Sequence, residues 1–267
     1  MHITHKHYIG CVLALALIST SCYAISLSSV SSWFSTWQEE TFFQEATIGL
    51  NATLELTNIS GPITIKTWSV PKIVIEATKS AKEKDLATIS IVTDINEQHA
   101  RITTVYHEKG INGSVSYELM IPELTNVTLH TDEGTIKLKK VHGTISVRTN
   151  SGNIDIEDAT RSLDAHAAYG NITASYSHVP LNSHLQVTTE NGNITLALPK
   201  QTHARVIAKT HKGTITSEQS VTIAPQTVKL DRNYWKRVRT ELTGLLGNGG
   251  AHIELTAQYG NIQIVEH

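Results

Sequence analysis

Fourteen histidines are the residues of this 267-residue chain whose type most readily suggests chemistry, because a neutral imidazole is a common metal ligand. Beyond the N-terminal segment they occur singly, and no two of them stand two or four positions apart. A metal site on one strand or one helical turn needs such spacing, or ligands that converge from elsewhere. The sequence therefore predicts exposed or structural histidines, with no metal and no cofactor.

Carboxylates in the middle of the chain are the second candidate for chemistry. They are Asp155, Glu157, Asp158 and Asp164. Glycosidases need two carboxyl groups roughly 5–10 Å apart, one of them with a pKa raised by burial. In a strand, Asp155 and Glu157 would lie about 6–7 Å apart on one face, but they alternate with isoleucines and so face solvent. The chain also has no nucleophile elbow, phosphate-binding loop or dinucleotide fingerprint. We expect no active site, and an enzyme that cleaves polysaccharides on a β-helix scaffold is the alternative.

Residues 231–250 contain the third candidate, a cluster of aromatic and basic side chains. Its members are Tyr234, Trp235, Lys236, Arg237 and Arg239. In an exposed loop or short helix, this cluster would contact an anionic or sugar partner. The alternative is a cap over the end of the fold, because stacked strands need their open edges covered. In such a cap the buried side chains would be Trp235, Leu242, Leu245 and Leu246. We favour the cap.

A short glycine motif recurs eight times and is the strongest pattern in the sequence. The glycines are Gly61, Gly134, Gly143, Gly152, Gly170, Gly192, Gly213 and Gly260, and each is followed two positions later by isoleucine. From Gly134 to Gly213 the steps are 9, 9, 18, 22 and 21 residues, and most copies extend to Gly-[Asn/Thr]-Ile-x-[Ile/Leu]. Around the motif, apolar residues alternate with polar ones, which is the pattern of half-buried strands.

The motif is interpreted as a corner followed by a strand. Glycine tolerates positive φ and lets the chain turn, and the isoleucine and the next aliphatic residue then point to one side. One buried isoleucine contributes roughly 1.5–3 kcal/mol, which is too little to order a coil alone, so coils must stack. The sequence predicts an all-β fold, a β-solenoid or β-helix-like stack of short strands with two glycine corners per coil. An 18-residue coil would place Ile136, Ile154 and Ile172 in one column, and an antiparallel meander is the alternative.

The N-terminus has the features of a signal peptide. A weakly basic start precedes an apolar run over residues 8–18, which is shorter than the roughly 20 residues that span a bilayer. Small residues up to Ala24 fit a cleavage site, so residues 1–24 are the predicted signal. Lipidation at Cys22 is the alternative and would give the only membrane attachment. Cys11 and Cys22 are the only cysteines, so the domain has no disulfide framework.

The remaining chain divides into a linker and one domain. Residues 25–45 are rich in serine and then in aromatics, which predicts a linker whose aromatics form one helical turn against the domain. Residues 46–265 contain the strand pattern and form the predicted β-repeat domain, with 231–250 as a loop or cap insertion. The formal net charge of −2 and the absence of a basic run argue against a nucleic-acid partner.

Four stretches in a specific order resemble the bacterial adhesin-like β-repeat family, long catalogued as a domain of unknown function. They are residues 54–68, residues 115–129, the Gly-x-Ile repeats from Gly134, and residues 242–264. The resemblance implies an exported or envelope-attached β-helix-like domain without catalytic residues. Relative to the family, Ala167 and Ala257 replace the usual threonine, and residues 231–239 are unusually basic and aromatic.

The sequence thus predicts a non-enzymatic structural or adhesin-like module, located in the periplasm, in the outer membrane or outside the cell. Ladders of Thr, Asn, Lys and Glu would present a flat polar face to a surface sugar or an envelope protein. A regulatory partner of an envelope stress-response system is a further alternative.

Overall fold

Strands make up most of the chain, as its β-branched residues predict. The computed structural model describes residues 6–7, 37–223 and 240–267. A four-residue helix, α1 (Glu83–Leu86), interrupts the strands. Within these described ranges, no helix is long and apolar enough to cross a membrane.

Twenty-two strands are present in the described residues. Those of the first half are β1 (Lys6–His7), β2 (Trp37–Thr47), β3 (Thr53–Ser60), β4 (Ile63–Trp68), β5 (Lys72–Lys82), β6 (Ile89–Ile95), β7 (His99–Tyr106), β8 (Gly113–Pro122), β9 (Asn126–Glu133), β10 (Ile136–Lys139) and β11 (Ile145–Ser151). Those of the second half are β12 (Ile154–Ala159), β13 (Leu163–Tyr169), β14 (Ile172–Tyr176), β15 (His184–Asn191), β16 (Ile194–Leu198), β17 (Ala204–Lys212), β18 (Ile215–Ser217), β19 (Val221–Thr222), β20 (Glu241–Leu246), β21 (Ala251–Tyr259) and β22 (Ile262–Glu266).

The strands form two eleven-stranded sheets that enclose one hydrophobic core. The first sheet has the order β1-β2-β5-β8-β4-β10-β12-β14-β16-β22-β18, and the second has the order β19-β20-β17-β21-β15-β13-β11-β9-β3-β7-β6. One coil consists of a strand of the second sheet, a corner and the next strand of the first sheet. Successive coils pair in parallel, for example β11 with β13 and β12 with β14. The predicted solenoid is therefore confirmed, and the repeat is not an antiparallel meander.

The isoleucines of the glycine motif form the predicted column inside the first sheet. Ile136 pairs with Ile154, and Ile154 pairs with Ile172, in parallel register. The column continues through Ile194 to Ile262. All five side chains are at most 1% exposed, so each contributes the full burial energy that the motif predicts.

Gly143 corrects one detail of the predicted repeat. Its isoleucine, Ile145, is buried in the second sheet between Val127 and Leu163. Gly143 therefore lies at the opposite corner from the other motif glycines. The prediction of two glycine corners per coil is wrong, because the second corner is made elsewhere by loops of varied sequence and length.

The order of the coils in the stack differs from their order along the chain. The coil of β21 and β22 lies between the coil of β15 and β16 and the coil of β17 and β18. At the other end, β7 and β8 lie outside β3 and β4. These neighbours remain parallel, which keeps the backbone hydrogen bonds of the stack continuous.

Antiparallel strands extend the sheets at the ends of the stack. At one end they are β2 and β5 in the first sheet and β6 in the second, and at the other end β19 and β20. β20 belongs to the described part of the predicted cap, residues 240–250, with Leu246 1% exposed and Leu242 partly buried. Leu245 is 37% exposed, which corrects its predicted burial, because alternate residues of a strand face opposite sides.

Residues 37–45 belong to β2, which corrects the predicted linker and helical turn for this part of 25–45. β2 pairs with β5 along its whole length. Phe42 packs against the core, whereas Phe43 is 54% exposed, as alternation across a strand requires. The outer edge of β2 pairs with β1. The rest of the predicted signal and residues 25–36 lie outside the described residues.

Candidate functional site

Backbone packing at the shared corner explains why seven of the eight motif glycines are glycine. In stack order they are Gly61, Gly134, Gly152, Gly170, Gly192, Gly260 and Gly213. A Cβ atom on Gly192 would lie 2.0 Å from the carbonyl oxygen of Gly170 in the neighbouring coil. Gly192 is not in a left-handed conformation, so close approach, rather than the positive φ expected from the sequence, requires glycine there. At Gly61, a φ of 116° adds the conformational requirement.

Buried threonines support this corner from inside. The Thr189 hydroxyl donates a hydrogen bond to the carbonyl of Gly170 at 2.9 Å. Thr149 and Thr210 donate equivalent bonds at 3.4 and 2.8 Å. Two positions of the same column lack a hydroxyl, Ala167 and Ala257. Each hydroxyl satisfies a buried polar group that would otherwise destabilise the fold.

Asparagines form a hydrogen-bonded ladder on the first-sheet side of the corner. In four coils, the residue after the glycine donates its backbone N–H to the Oδ1 atom of the asparagine in the neighbouring coil. The donor–acceptor distances are 2.9 Å from Asn171 to Asn153, 2.8 Å from Asn193 to Asn171, and 2.8 Å from Asn261 to Asn193. Thr214 extends the ladder, since its N–H and hydroxyl both donate to Asn261. All five residues are exposed.

The ladder fixes which amide atoms can contact a ligand. Because a backbone N–H only donates, the accepting side-chain atom must be oxygen, and this sets the amide orientation. In the described part of the chain, nothing accepts a hydrogen bond from Nδ2 of Asn171, Asn193 or Asn261. Neighbouring strands are about 4.8 Å apart. The corner therefore carries a regular row of amide donors.

Two exposed tyrosines stand on the second-sheet side of the same corner. In register, Tyr169 pairs with Asn191, Asn191 with Tyr259, and Tyr259 with Lys212. Tyr169 is 61% exposed and Tyr259 is 42% exposed. The Lys212 Nζ atom lies 5.1 Å from the centre of the Tyr259 ring, and the His211 ring meets its edge at 6.2 Å. These contacts hold the Tyr259 ring in place while leaving much of it accessible.

A polar groove runs beside the asparagine ladder. Its volume is about 320 Å³, and it is lined by Asn171, Thr173, Asn193, Thr195, Asn261 and Gln263. We call Asn171, Asn193, Asn261 and Thr214, together with Tyr169 and Tyr259, the amide strip. Amide and hydroxyl groups beside exposed aromatic rings can bind a ligand that has hydroxyl groups and flat apolar faces.

A second groove lies on the outer face of the first sheet and contains the predicted carboxylate pair. It has a volume of about 360 Å³, and its charged residues are Lys66, Lys137, Lys139, Asp155 and Glu157. Glu157 forms an ion pair with Lys139 at 3.0 Å, and both side chains are more than half exposed. Such a pair is solvated and carries little energy.

The other two predicted carboxylates do not join this groove. Asp164 lies in the second sheet and pairs with Arg148 at 2.7 Å. Asp158 lies at an irregularity of β12 with a φ of 60°, where its backbone N–H donates to Ser175. The four acids therefore do not converge as a glycosidase requires.

Histidines are dispersed over the structure. His184 stacks on His252 in the next coil, with ring centres 5.1 Å apart. His142 lies 3.8 Å from Glu123 at the corner that contains Gly143. Among the residues whose positions the structure gives, no three histidines, cysteines or carboxylates are grouped to bind a metal.

A buried polar network stabilises the first coils. Thr104 donates to Asn58 Oδ1 at 2.9 Å and shares a 2.7 Å hydrogen bond with the Tyr117 hydroxyl. The Asn58 amide donates to the carbonyl of Val115 at 2.8 Å. Burial raises the pKa of Tyr117 to about 12, against the opposing effect of the Thr104 hydrogen bond. Burial likewise raises the pKa of Tyr176, whose hydroxyl donates to the Arg161 carbonyl. Both groups have structural roles.

The partner contacts predicted from the sequence are not part of the amide strip. Tyr234, Trp235, Lys236, Arg237 and Arg239 lie outside the described residues, as does Cys22. The sequence predicted polar ladders of Thr, Asn, Lys and Glu but not the amide strip itself, whose signal was the asparagine that follows glycine in the motif. The exposed tyrosines that precede Gly170 and Gly260 were the second signal.

Comparison with known proteins identifies the fold independently. A family model for Toastrack DUF4097 matches residues 46–265. A candidate cell adhesion protein from Clostridium sporogenes has a similar structure, with 11% identity over 85% of this chain and 100% of its own, at a TM-score of 0.50. No protein of curated function matches the chain.

More distant structural matches share the same coverage. A candidate adhesin from Bacteroides fragilis is 9% identical over 85% of this chain and 97% of its own, at a TM-score of 0.38. A candidate lipid-binding protein from Parabacteroides distasonis is 11% identical over 85% of this chain and 96% of its own, at a TM-score of 0.31. The family match confirms the resemblance stated from the sequence.

Proposed function

Because the chain belongs to the Toastrack DUF4097 family, we propose that it is an exported, non-enzymatic, adhesin-like module of a bacterial cell envelope that binds a surface sugar or an envelope protein. The amide strip is the observation that carries this proposal. It repeats one amide donor in three successive coils on an exposed corner, which is an arrangement for binding rather than for a reaction. Cell adhesion, the role named for the Clostridium sporogenes protein, agrees with it.

The distribution of acids supports a binding role. Glycoside cleavage needs an acid and a base on opposite sides of one bond. Here Asp155 and Glu157 lie on a solvated face, Glu157 is paired with Lys139, and Asp164 is in the other sheet. A polysaccharide-cleaving enzyme would need a different arrangement.

Export rests on the N-terminal segment. Residues 1–24 have the length and composition of a signal peptide, with cleavage after Ala24 and lipidation at Cys22 as the alternative. Cleavage would remove β1 and leave the outer edge of β2 free. Cell fractionation and mass spectrometry of the mature N-terminus test this. An N-terminus at Ile25, or a lipidated Cys22, supports export, and an unprocessed cytoplasmic protein would contradict it.

Binding and catalysis separate in one experiment. The mature protein is incubated with an array of bacterial surface glycans and with membrane proteins of the same cell, and released reducing ends are measured in parallel. We expect retention on a glycan or an envelope protein without release of reducing ends. New reducing ends would show an enzyme, and failure to bind either class of partner would contradict the adhesin-like role.

A further inference from the structure

The amide strip has the geometry of a site for one class of ligand. We infer that it binds an uncharged, linear polysaccharide that lies along the stack, across the edges of successive coils. This inference rests on the proposed binding function and specifies its partner. Tyr169 and Tyr259 would stack on sugar rings, while Asn171, Asn193 and Asn261 would donate to sugar hydroxyls.

The spacing of the amide donors matches the repeat of an extended glycan. The Oδ1 atoms of Asn171, Asn193 and Asn261 are used by the ladder, so three successive coils each offer one Nδ2 group. The repeat of about 4.8 Å per coil is close to the length that one pyranose ring adds to an extended glycan. A periodic row of donors therefore matches a periodic ligand.

The distance between the two tyrosines matches the spacing of alternate sugars. One coil, with Asn191 in the corresponding position, separates Tyr169 from Tyr259. The two rings are therefore about 9–10 Å apart along the stack, which is the spacing of alternate sugars in an extended chain. Pyranose rings have one apolar face of C–H groups, and an exposed, fixed aromatic ring is complementary to that face.

The small number of charged residues in the strip favours an uncharged ligand. Eight residues flank the glycines of its four coils, and only one of them, Lys212, is charged. Its ammonium group lies over the Tyr259 ring. A polyanion binds through many cationic contacts, which this corner lacks, so an uncharged polymer is the complementary ligand. The groove that contains Lys66, Lys137 and Lys139 adjoins the polar groove at Thr173 and also contains Asp155 and Glu157.

The test compares neutral and acidic glycans on the full mature protein. Affinity electrophoresis and calorimetry would use hydroxyethylcellulose, mannan and a series of cello-oligosaccharides as neutral probes, with alginate as the acidic probe. We expect binding to at least one neutral polymer and none to alginate. Affinity for the oligosaccharides should rise with length and level off near four or five sugars, because the strip spans four coils.

Variants locate the site. Replacing Tyr169 and Tyr259 together by alanine should weaken neutral-glycan binding at least tenfold. Asn193→Thr should weaken it several-fold, and the equivalent Thr214 shows that threonine is tolerated in this column. Phe43→Ala removes an equally exposed aromatic ring far from the strip and should leave binding unchanged. Thermal unfolding would confirm that each variant is folded.

The outcomes separate this inference from the proposed function. Neutral-glycan binding that survives the double tyrosine variant would overturn the site and leave the adhesin-like role intact. Binding to alginate that depends on Lys137 and Lys139 would place the site in the other groove. Binding to a purified envelope protein but to no glycan would overturn the ligand class alone. Absence of every kind of binding would contradict both.

Discussion

Replacing Gly192 by alanine should destabilise the protein by about 3 kcal/mol, because the coils are too close for a methyl group. The new Cβ atom would meet the carbonyl oxygen of Gly170 at 2.0 Å, whereas real Cβ contacts are essentially never under 3.0 Å. Both the obstructing atom and its neighbours belong to the backbone. The two coils must therefore separate by about 1 Å.

The magnitude follows from the hydrogen bonds between those coils. Gly170 donates to the Asn191 carbonyl at 2.9 Å, and Ile172 donates to the Asn193 carbonyl at 2.9 Å. Asn193 donates to Asn171 Oδ1 at 2.8 Å. A further 1 Å would take all three beyond hydrogen-bonding distance, at a net loss of about 1 kcal/mol each. For a protein of this size, about 3 kcal/mol corresponds to a fall in Tm of roughly 6–12 °C.

Urea and thermal unfolding followed by circular dichroism measure this loss. The matched control is Gly110→Ala, because Gly110 has a φ of 76° but a Cβ there would meet nothing within 4 Å. The control carries conformational strain alone, about 1–2 kcal/mol. If Gly192→Ala lost no more stability than the control, the close approach of the coils would not be what selects glycine.

Three further predictions concern the interior. Ile154→Asp should lose more than about 4 kcal/mol by burying an unpaired charge, whereas the outward Asp155→Asn should change stability by less than about 0.5 kcal/mol; similar melting of both would contradict the inward column. Thr189→Ala should lose about 1 kcal/mol and Thr189→Ser less, since serine keeps the donor; equal losses in urea unfolding would exclude the hydroxyl as the cause. Tyr117, with its pKa raised from 10.0 to about 12, stabilises the fold fully below pH 10, and this contribution of about 3 kcal/mol is lost as the pH rises to 12. Tyr117→Phe should flatten that decline, and an unchanged slope would disprove the assignment.

The pattern of buried residues could be predicted from the sequence, because stacked coils must bury side chains at equivalent positions. Seven of the eight coils place an isoleucine after a corner too tight for a side chain, so Gly-x-Ile recurs in each of them. In the coil of β7 and β8, Tyr117 takes the position of the isoleucine. The spacing of Gly134, Gly152 and Gly170 thus predicted the register of Ile136, Ile154 and Ile172 correctly. Gly143 broke the rule because it packs against the Thr125 carbonyl at the other corner, where the same sequence motif meets a different neighbour.

The remaining features depend on contacts between distant segments. β2 forms because β5 provides a partner along its whole length, and no local pattern in its Ser-rich surroundings indicates that pairing. The asparagine ladder was visible only as a residue preference, since its hydrogen bonds join side chains to the backbone of other coils. Leu245 was assigned to the interior because a cap strand has two faces and the sequence does not state which one is covered.

The site itself depends on the order of the coils, which the repeat does not determine. Seven of the eight coils have the same glycine corner followed by isoleucine, so the coil of β21 and β22 could occupy several places with similar backbone pairing. In the structure it lies beside β15 and β16, which brings Tyr259 next to Asn191 and two coils from Tyr169. Had the coils followed chain order, Lys212 would stand beside Asn191 and Tyr259 would lie three coils from Tyr169. The inward residues thus make the stack possible, and the insertion of the last coil produces the pair of tyrosines with a row of amides beside them.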